Sequence, residues 1–167
     1  LEGNVPTATP FMPGMDLSDM ERSMLPEATY REEVELADGD VLDLEAGLVR
    51  RTIDGHDLIM YSFNGQYPGP VIKVQQHSTI TVNFTNNIEL PTTVHWHGLR
   101  LDNRFDDVPD VTQPAVAQGE SFTYELFFRD TGIYWYHPHM REDIQQDLGL
   151  YGNMLVTPPD PNYYGSV

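Results

Sequence analysis

Four of the six histidines of this chain fall in two His-x-His pairs, His95-Trp96-His97 and His137-Pro138-His139. On a strand, residues i and i+2 project from one face about 6.5–7 Å apart along the chain. That is too far for the two imidazoles of a pair to bond each other, but it suits one metal ion between them or two adjacent ions. Each pair ends a predicted strand and is followed by a bend at Gly98 or a polar turn at 141–143. Two such strand ends side by side bring four imidazoles to one rim of a sheet structure. One His-x-His carries little weight, whereas two among six histidines, each beside aromatics, point to a metal site. Ligation by imidazole alone suits copper, zinc, iron or nickel and disfavours calcium and magnesium. Because ligating imidazoles must be neutral, binding is expected to weaken below about pH 6. His56 and His77 stand alone and read as ordinary histidines. Trp96 and Trp135 read as packing residues opposite or beside the ligands.

Other chemistries lack their parts. There is no Gly-rich phosphate loop and no Gly-x-Ser-x-Gly elbow. The chain has no cysteine, hence no thiolate nucleophile, disulfide or cysteine-ligated metal. A jelly-roll metal site of the cupin type wants a glutamate shortly after its first His-x-His, where this chain offers Asp102, and a single histidine in its second motif. With 26 acidic against 9 basic residues the net charge is −17, and Lys73 is the sole lysine. That balance argues against nucleic acid and anionic membrane surfaces as partners. No apolar run approaches the roughly 18–20 residues of a spanning helix.

The elements that must position the histidines read as strands. A length of 167 residues with 13 glycines and 13 prolines suits about one domain rich in turns. The first thirty residues read as a poorly packed arm, broken at 7–10 and at Pro13-Gly14. Its four methionines (Met12, Met15, Met20, Met24) fit gap-filling contacts with the body better than capture of soft cuprous ion. From Tyr30 onward the pattern is β: Val34 and Leu36 alternate with glutamates, and Asp38-Gly39-Asp40 reads as a hairpin-type turn. Further strands are predicted over 41–44, 48–53, 58–63, 71–74, 79–84, 92–97, 121–128, 133–137 and 150–156. One helix of one or two turns is predicted around 141–147. Short strands at this spacing predict an antiparallel β-sandwich or barrel. Leu1-Glu2-Gly3-Asn4 does not open as a cleavable signal, and Pro158-Pro159-Asp160-Pro161 reads as an exit from the domain.

The segments Thr93-Val94-His95-Trp96-His97-Gly98-Leu99, Thr112-Gln113-Pro114 and Gly132-Ile133-Tyr134-Trp135-Tyr136-His137-Pro138-His139 resemble, in order and spacing, the first cupredoxin domain of multicopper oxidases, the laccase-like family. Asn64-Gly65-Gln66-Tyr67-Pro68-Gly69-Pro70 is similar to another stretch of that domain, and 149–156 to its closing strand. The resemblance implies an all-β, Greek-key cupredoxin-like sandwich over 30–159, with 1–29 an irregular N-terminal arm and 160–167 an exit linker.

It further implies roles. His95 matches a ligand of the type 2 copper, His97 and His137 match ligands of one type 3 copper, and His139 matches a ligand of the other. Asp106, eleven positions after His95, matches an aspartate that orients water and delivers protons. The family follows it with glycine, where this chain has Asp107 and then Val108-Pro109. In the family, electrons enter at a type 1 copper and reach this trinuclear cluster, where dioxygen is reduced to water. The type 1 copper needs a thiolate and the cluster eight histidines. The resemblance therefore implies half a site. The rest would come from a second cupredoxin domain or chain, carrying the other four histidines and the cysteine, or less directly from copper-dependent self-association. It also implies a secreted, periplasmic or cell-surface address. The alternative reading is a stand-alone copper- or zinc-binding β-sandwich without turnover.

Overall fold

In the computed structural model, which describes residues 11–106, 112–160 and 162–163, turn residues decide which strands can meet. The strands are β1 Glu33–Leu36, β2 Val41–Ile53, β3 His56–Phe63, β4 Val71–Gln75, β5 Thr79–Asn86, β6 His95–His97, β7 Ser121–Phe127, β8 Gly132–His137 and β9 Gly152–Thr157. Between β2 and β3, Asp54 and Gly55 hold φ of 50° and 79°, the doubly positive pair of a tight hairpin, and Ile53 pairs with His56. The 37–40 turn behaves otherwise. Gly39 N donates to Thr79 O at 2.8 Å and Thr79 N to Asp38 Oδ1 at 2.7 Å, so the chain crosses from one sheet to the other there. It crosses again between β4 and β5, where His77 N donates to Phe128 O at 2.7 Å.

Two sheets result, one in the order β1-β4-β9-β8-β6 and one in the order β3-β2-β5-β7. The sandwich is all-β as expected, but its sheets are mixed rather than antiparallel. β1–β4, β4–β9 and β2–β5 are parallel pairs. A crossing turn leaves each strand to find partners distant in sequence, and such partners run in either direction. The separate strands predicted over 41–44 and 48–53 are one strand, β2. Its first half pairs with β5 and its second with β3, and its inward positions shift from Leu42, Leu44 and Ala46 to Val49. Of the strand predicted over 92–97, only His95–His97 joins a ladder, while Thr92 makes an isolated bridge to Val116.

Helix forms elsewhere than predicted. Residues 142–149 make a series of turns, with Ile144 N and Gln145 N both donating to Arg141 O. The α-helix (α1) is Asp19–Met24, held by a capping box in which Ser18 and Glu21 satisfy each other's backbone N–H groups. The described part of the arm, from Phe11 onward, is docked rather than loose. Pro13 and Gly14 are buried, Phe11 packs on the core, and Gly14 N donates to Glu89 Oε1 at 3.1 Å. Its methionines do not fill gaps: Met12, Met15, Met20 and Met24 are 47–76% exposed. The breakers at 7–10, Pro161 and residues 164–167 lie outside the described residues. Among the described residues no helix is long and apolar enough to cross a membrane.

The core lies between the sheets and includes Phe63, Ile72, Phe84, Trp96, Tyr124 and Tyr136, all fully buried. Burial of each such side chain contributes about 1.5–3 kcal/mol relative to exposure. Tyr136 is pinned at both ends. Its hydroxyl donates to Pro70 O at 2.7 Å, its ring lies 5.2 Å from that of Phe63, and Gly152 faces it across the β8–β9 ladder. A Cβ on Gly152 would overlap the Tyr136 ring, and the hydroxyl bond prevents the ring from moving aside. Gly152→Ala is therefore expected to lower the unfolding free energy by about 1–3 kcal/mol. Gly47→Ala, whose Cβ meets only Glu45 Oε1 at 3.6 Å, should stay within about 0.5 kcal/mol of the parent. Urea denaturation of the two variants beside the parent checks the contrast.

Candidate metal centre

β6 is an edge strand three residues long, paired on one side only, with β8. In that antiparallel ladder His95 lies opposite His137, Trp96 opposite Tyr136, and His97 opposite Trp135. Opposed residues share a face. Trp96 and Tyr136 therefore enter the core together, ring centroids 5.6 Å apart, and His95, His97, Trp135 and His137 lie on the opposite face, where His137 is itself buried. The expected rim is thus the outer face of a sheet corner. His139, just past the end of β8, stacks its ring on that of His95 at 4.0 Å. His56 and His77, in the hairpin and at the sheet crossing, do not join the cluster.

Buried groups fix so short a strand in place. The Tyr124 hydroxyl accepts from Val94 N at 3.0 Å and from Gln113 Nε2 at 3.1 Å. The Thr112-Gln113-Pro114 segment thus holds the tyrosine that holds the residue before His95. Gly98, at φ 88°, ends the strand. Sequence alone places Trp135 among the packing residues, and in the structure it packs on two of the histidines themselves. Its ring stacks on His137 at 3.8 Å and lies 5.0 Å from His97. The signal for this is its parity, two residues before His137 on the same strand face.

Hydrogen bonds select the tautomers. His137 Nδ1 is 3.0 Å from Pro138 O, and His95 Nδ1 is 3.3 Å from Asp106 O. Carbonyl oxygens only accept, so both Nδ1 atoms carry the proton and both Nε2 atoms are bare. His97 Nδ1 then donates to His137 Nε2 across 3.3 Å. Two nitrogens on one tetrahedral ion at 2.0–2.1 Å stand about 3.3 Å apart, so an ion could take the place of that bridging proton. His95, His137 and His139 each offer a ligand atom, and the three atoms lie within 4.8 Å of one another. An all-imidazole donor set of this spacing fits copper. Asp106, half-buried at the end of a 3-10 turn over Asn103–Phe105, meets His95 through its main-chain oxygen. Asp107, Val108 and Pro109 lie outside the described residues.

Burial favours the neutral form of two of the histidines. Loss of solvent pushes His95 down from 6.5 to about 4, with His139 adding to the effect and the Asp106 carbonyl opposing it. His137 is also lowered to about 4, again chiefly by burial, against the opposing Pro138 bond. The weakening of metal binding expected below pH 6 is thereby moved to lower pH for these two donors.

The sequence model of the multicopper oxidase family matches residues 48–161. Dihydrogeodin oxidase of Aspergillus terreus is 40% identical over 121 residues, covering 70% of this chain and 20% of that protein. Copper resistance protein A of Pseudomonas syringae pv. tomato is 29% identical over 123 residues, covering 74% of this chain and 20% of that protein. Among solved structures, a multi-copper oxidase from Pseudomonas thermotolerans superposes with a TM-score of 0.71 at 35% identity, covering 77% of this chain and 31% of the other. A blue copper oxidase from Nitrosomonas europaea gives 0.71 at 34%, covering 74% and 40%. The chain thus spans about a fifth of the length of the curated relatives it matches.

The depressed imidazoles bear on stability. A histidine with a folded-state pKa of about 4 and an unfolded value near 6.5 binds more protons unfolded than folded between those values. Its contribution is complete above about pH 6.5 and is lost as pH falls toward 4. The chain without metal is expected to lose stability through that window. A His95→Gln, His137→Gln variant should show a flatter profile, and thermal unfolding of both at half-unit pH steps checks it.

Proposed function

The chain belongs to the multicopper oxidase family, and we propose that it supplies half of the ligands of that family's oxygen-reducing copper centre. The observation that carries this reading is the pair of nitrogens, His97 Nδ1 and His137 Nε2, 3.3 Å apart beside the stacked rings of His95 and His139. In this reading His95 binds the type 2 copper, His97 and His137 share one type 3 copper, and His139 binds the other. Copper held by these four histidines would supply one-electron redox chemistry, by which four electrons from a reducing substrate and four protons would reduce one dioxygen to two waters. The chain's own residues hold four imidazoles at one sheet corner and keep two of them neutral by burial. In this reading Asp106 serves as the proton relay, with its main-chain oxygen anchored on the His95 ring.

The other half comes from outside these residues. With no cysteine in the chain, the type 1 copper belongs to a second cupredoxin domain or chain, which also brings four histidines. An outward-facing cluster on an edge strand suits a partner that closes over it. The proposed domain runs over 30–159 between the arm and the exit linker, and it works in a secreted, periplasmic or cell-surface setting.

A second reading has its own support, since three ligand atoms within 4.8 Å of one another also suit a single copper or zinc ion in a module without turnover. Copper titration followed by calorimetry and electron paramagnetic resonance separates the two. The parent chain should bind copper, and replacement of all four histidines by alanine should abolish the binding. The chain alone should oxidise no phenol, and a domain carrying the cysteine should restore oxidation. One ion per chain with no restoration favours the module. Robust oxidase activity from the chain alone overturns the half-site reading.

A further inference from the structure

The β6–β8 ladder places His95, His97 and His137, but it does not reach His139. That residue lies beyond the last pair of the ladder, in a bend that leads into a segment of successive turns. Its neighbour two positions on, Arg141, is held at φ 44°, a left-handed conformation that a non-glycine residue keeps only when its surroundings over-determine it. The stacking of His139 on His95 at 4.0 Å therefore needs a tie between this segment and the chain leading into β6.

Gln145 makes that tie. It is 1% exposed, and its Nε2 donates to Pro91 O at 2.9 Å while its Oε1 accepts from Thr92 Oγ1 at 2.6 Å. The Pro91 carbonyl can only accept, which fixes the amide orientation and leaves Oε1 for the threonine hydroxyl. Thr92, itself fully buried, is bound through its backbone to Val116 in both directions. One side chain thus links the residues three and four before His95 to the turn six residues after His139. We propose that Gln145 and Thr92 form a clasp that sets His139 against His95, and so are positioning residues for the copper centre. The inference rests on the copper reading above. In that reading the clasp sets the spacing between the ion held by His95 and the one held by His139. Oxygen-only contacts at Gln145 would not do this, because the amide must donate to one partner and accept from the other.

The test uses the 167-residue chain with three variants. Thr92→Val removes the hydroxyl at nearly constant shape, Gln145→Met removes the amide at similar length, and Thr92→Ser keeps the hydroxyl. Before copper is added, nuclear Overhauser contacts between the His95 and His139 rings are read by NMR. Copper(II) affinity and the electron paramagnetic resonance spectrum are read next. The ring contact should persist in the parent and in Thr92→Ser and be lost in Thr92→Val and Gln145→Met. The latter two should also bind copper about 10- to 100-fold more weakly, with an altered spectrum. If one of them fails to fold by near-ultraviolet circular dichroism, the other gives the answer. If both unfold, loss of the His95–His139 contact in Thr92→Ala decides instead. Ring contact, affinity and spectrum all unchanged in a folded Thr92→Val overturn the clasp. A parent chain that binds no copper, yet loses the ring contact in Thr92→Val, sinks the copper reading and upholds the clasp.

Discussion

The register of a three-residue edge strand governs this structure. With His95 opposite His137, alternate residues sort cleanly: Trp96 and Tyr136 inward, the histidines outward. A slip of one residue would reverse both sets at once. It would place imidazoles among Phe63, Tyr124 and Met154 and put a tryptophan in water. The penalty for that reversal comes from the core, through the fully buried Trp96 and Tyr136. The same packing that stabilises the sandwich therefore specifies the histidine corner. β6 contributes little of its own, having one ladder neighbour and a left-handed glycine at its end.

Electrostatics at that corner run against the protein as a whole. A chain of net charge −17 should favour protonated histidines everywhere through its mean field. At His95 and His137 desolvation is the larger effect, joined by repulsion among crowded imidazoles. Exposed carboxylates act through water and are screened within about 10 Å, whereas the cost of desolvating a cation falls on the ring itself. The acidic surface and the neutral cluster thus coexist. Backbone carbonyls at Pro138 and Asp106 add direction to neutrality by fixing which nitrogen is bare.

The arm shows how local and distant forces divide the work. Ser18 and Glu21 start a six-residue helix by themselves, a length that would not persist in isolation. Its attachment depends on buried Pro13 and Gly14 and on the Glu89 carboxylate, which also accepts from Tyr61 Oη at 2.9 Å. The methionines beside these anchors remain in solvent, because docking is achieved by the backbone and by Phe11 rather than by thioethers.

Much of this is legible in the residues alone. The doubled His-x-His motif, the alternation along 79–84 and 121–127, and the positive-φ pair Asp54-Gly55 each act over two to eight residues, the range over which sequence states its preferences directly. The capping box at Ser18 and Glu21 is equally local, though the breakers around it mask its signal. Tertiary structure alone decided the rest. Asp38-Gly39-Asp40 encodes a reversal of direction, but whether the chain reverses within a sheet or crosses to the other depends on Thr79, some forty residues on. Parallel pairing of β2 with β5, the joining of two predicted strands into one, and the failure of 141–147 to form a helix follow from the same kind of distant contact. The pairing of His95 with His137 and the stacking of His139 on His95 arise between segments some forty residues apart, while the carbonyls that leave Nε2 bare lie one and eleven residues from their rings. Their geometry exists only once the two sheets have closed on a common core, since side-chain packing, not local propensity, sets which strands become neighbours.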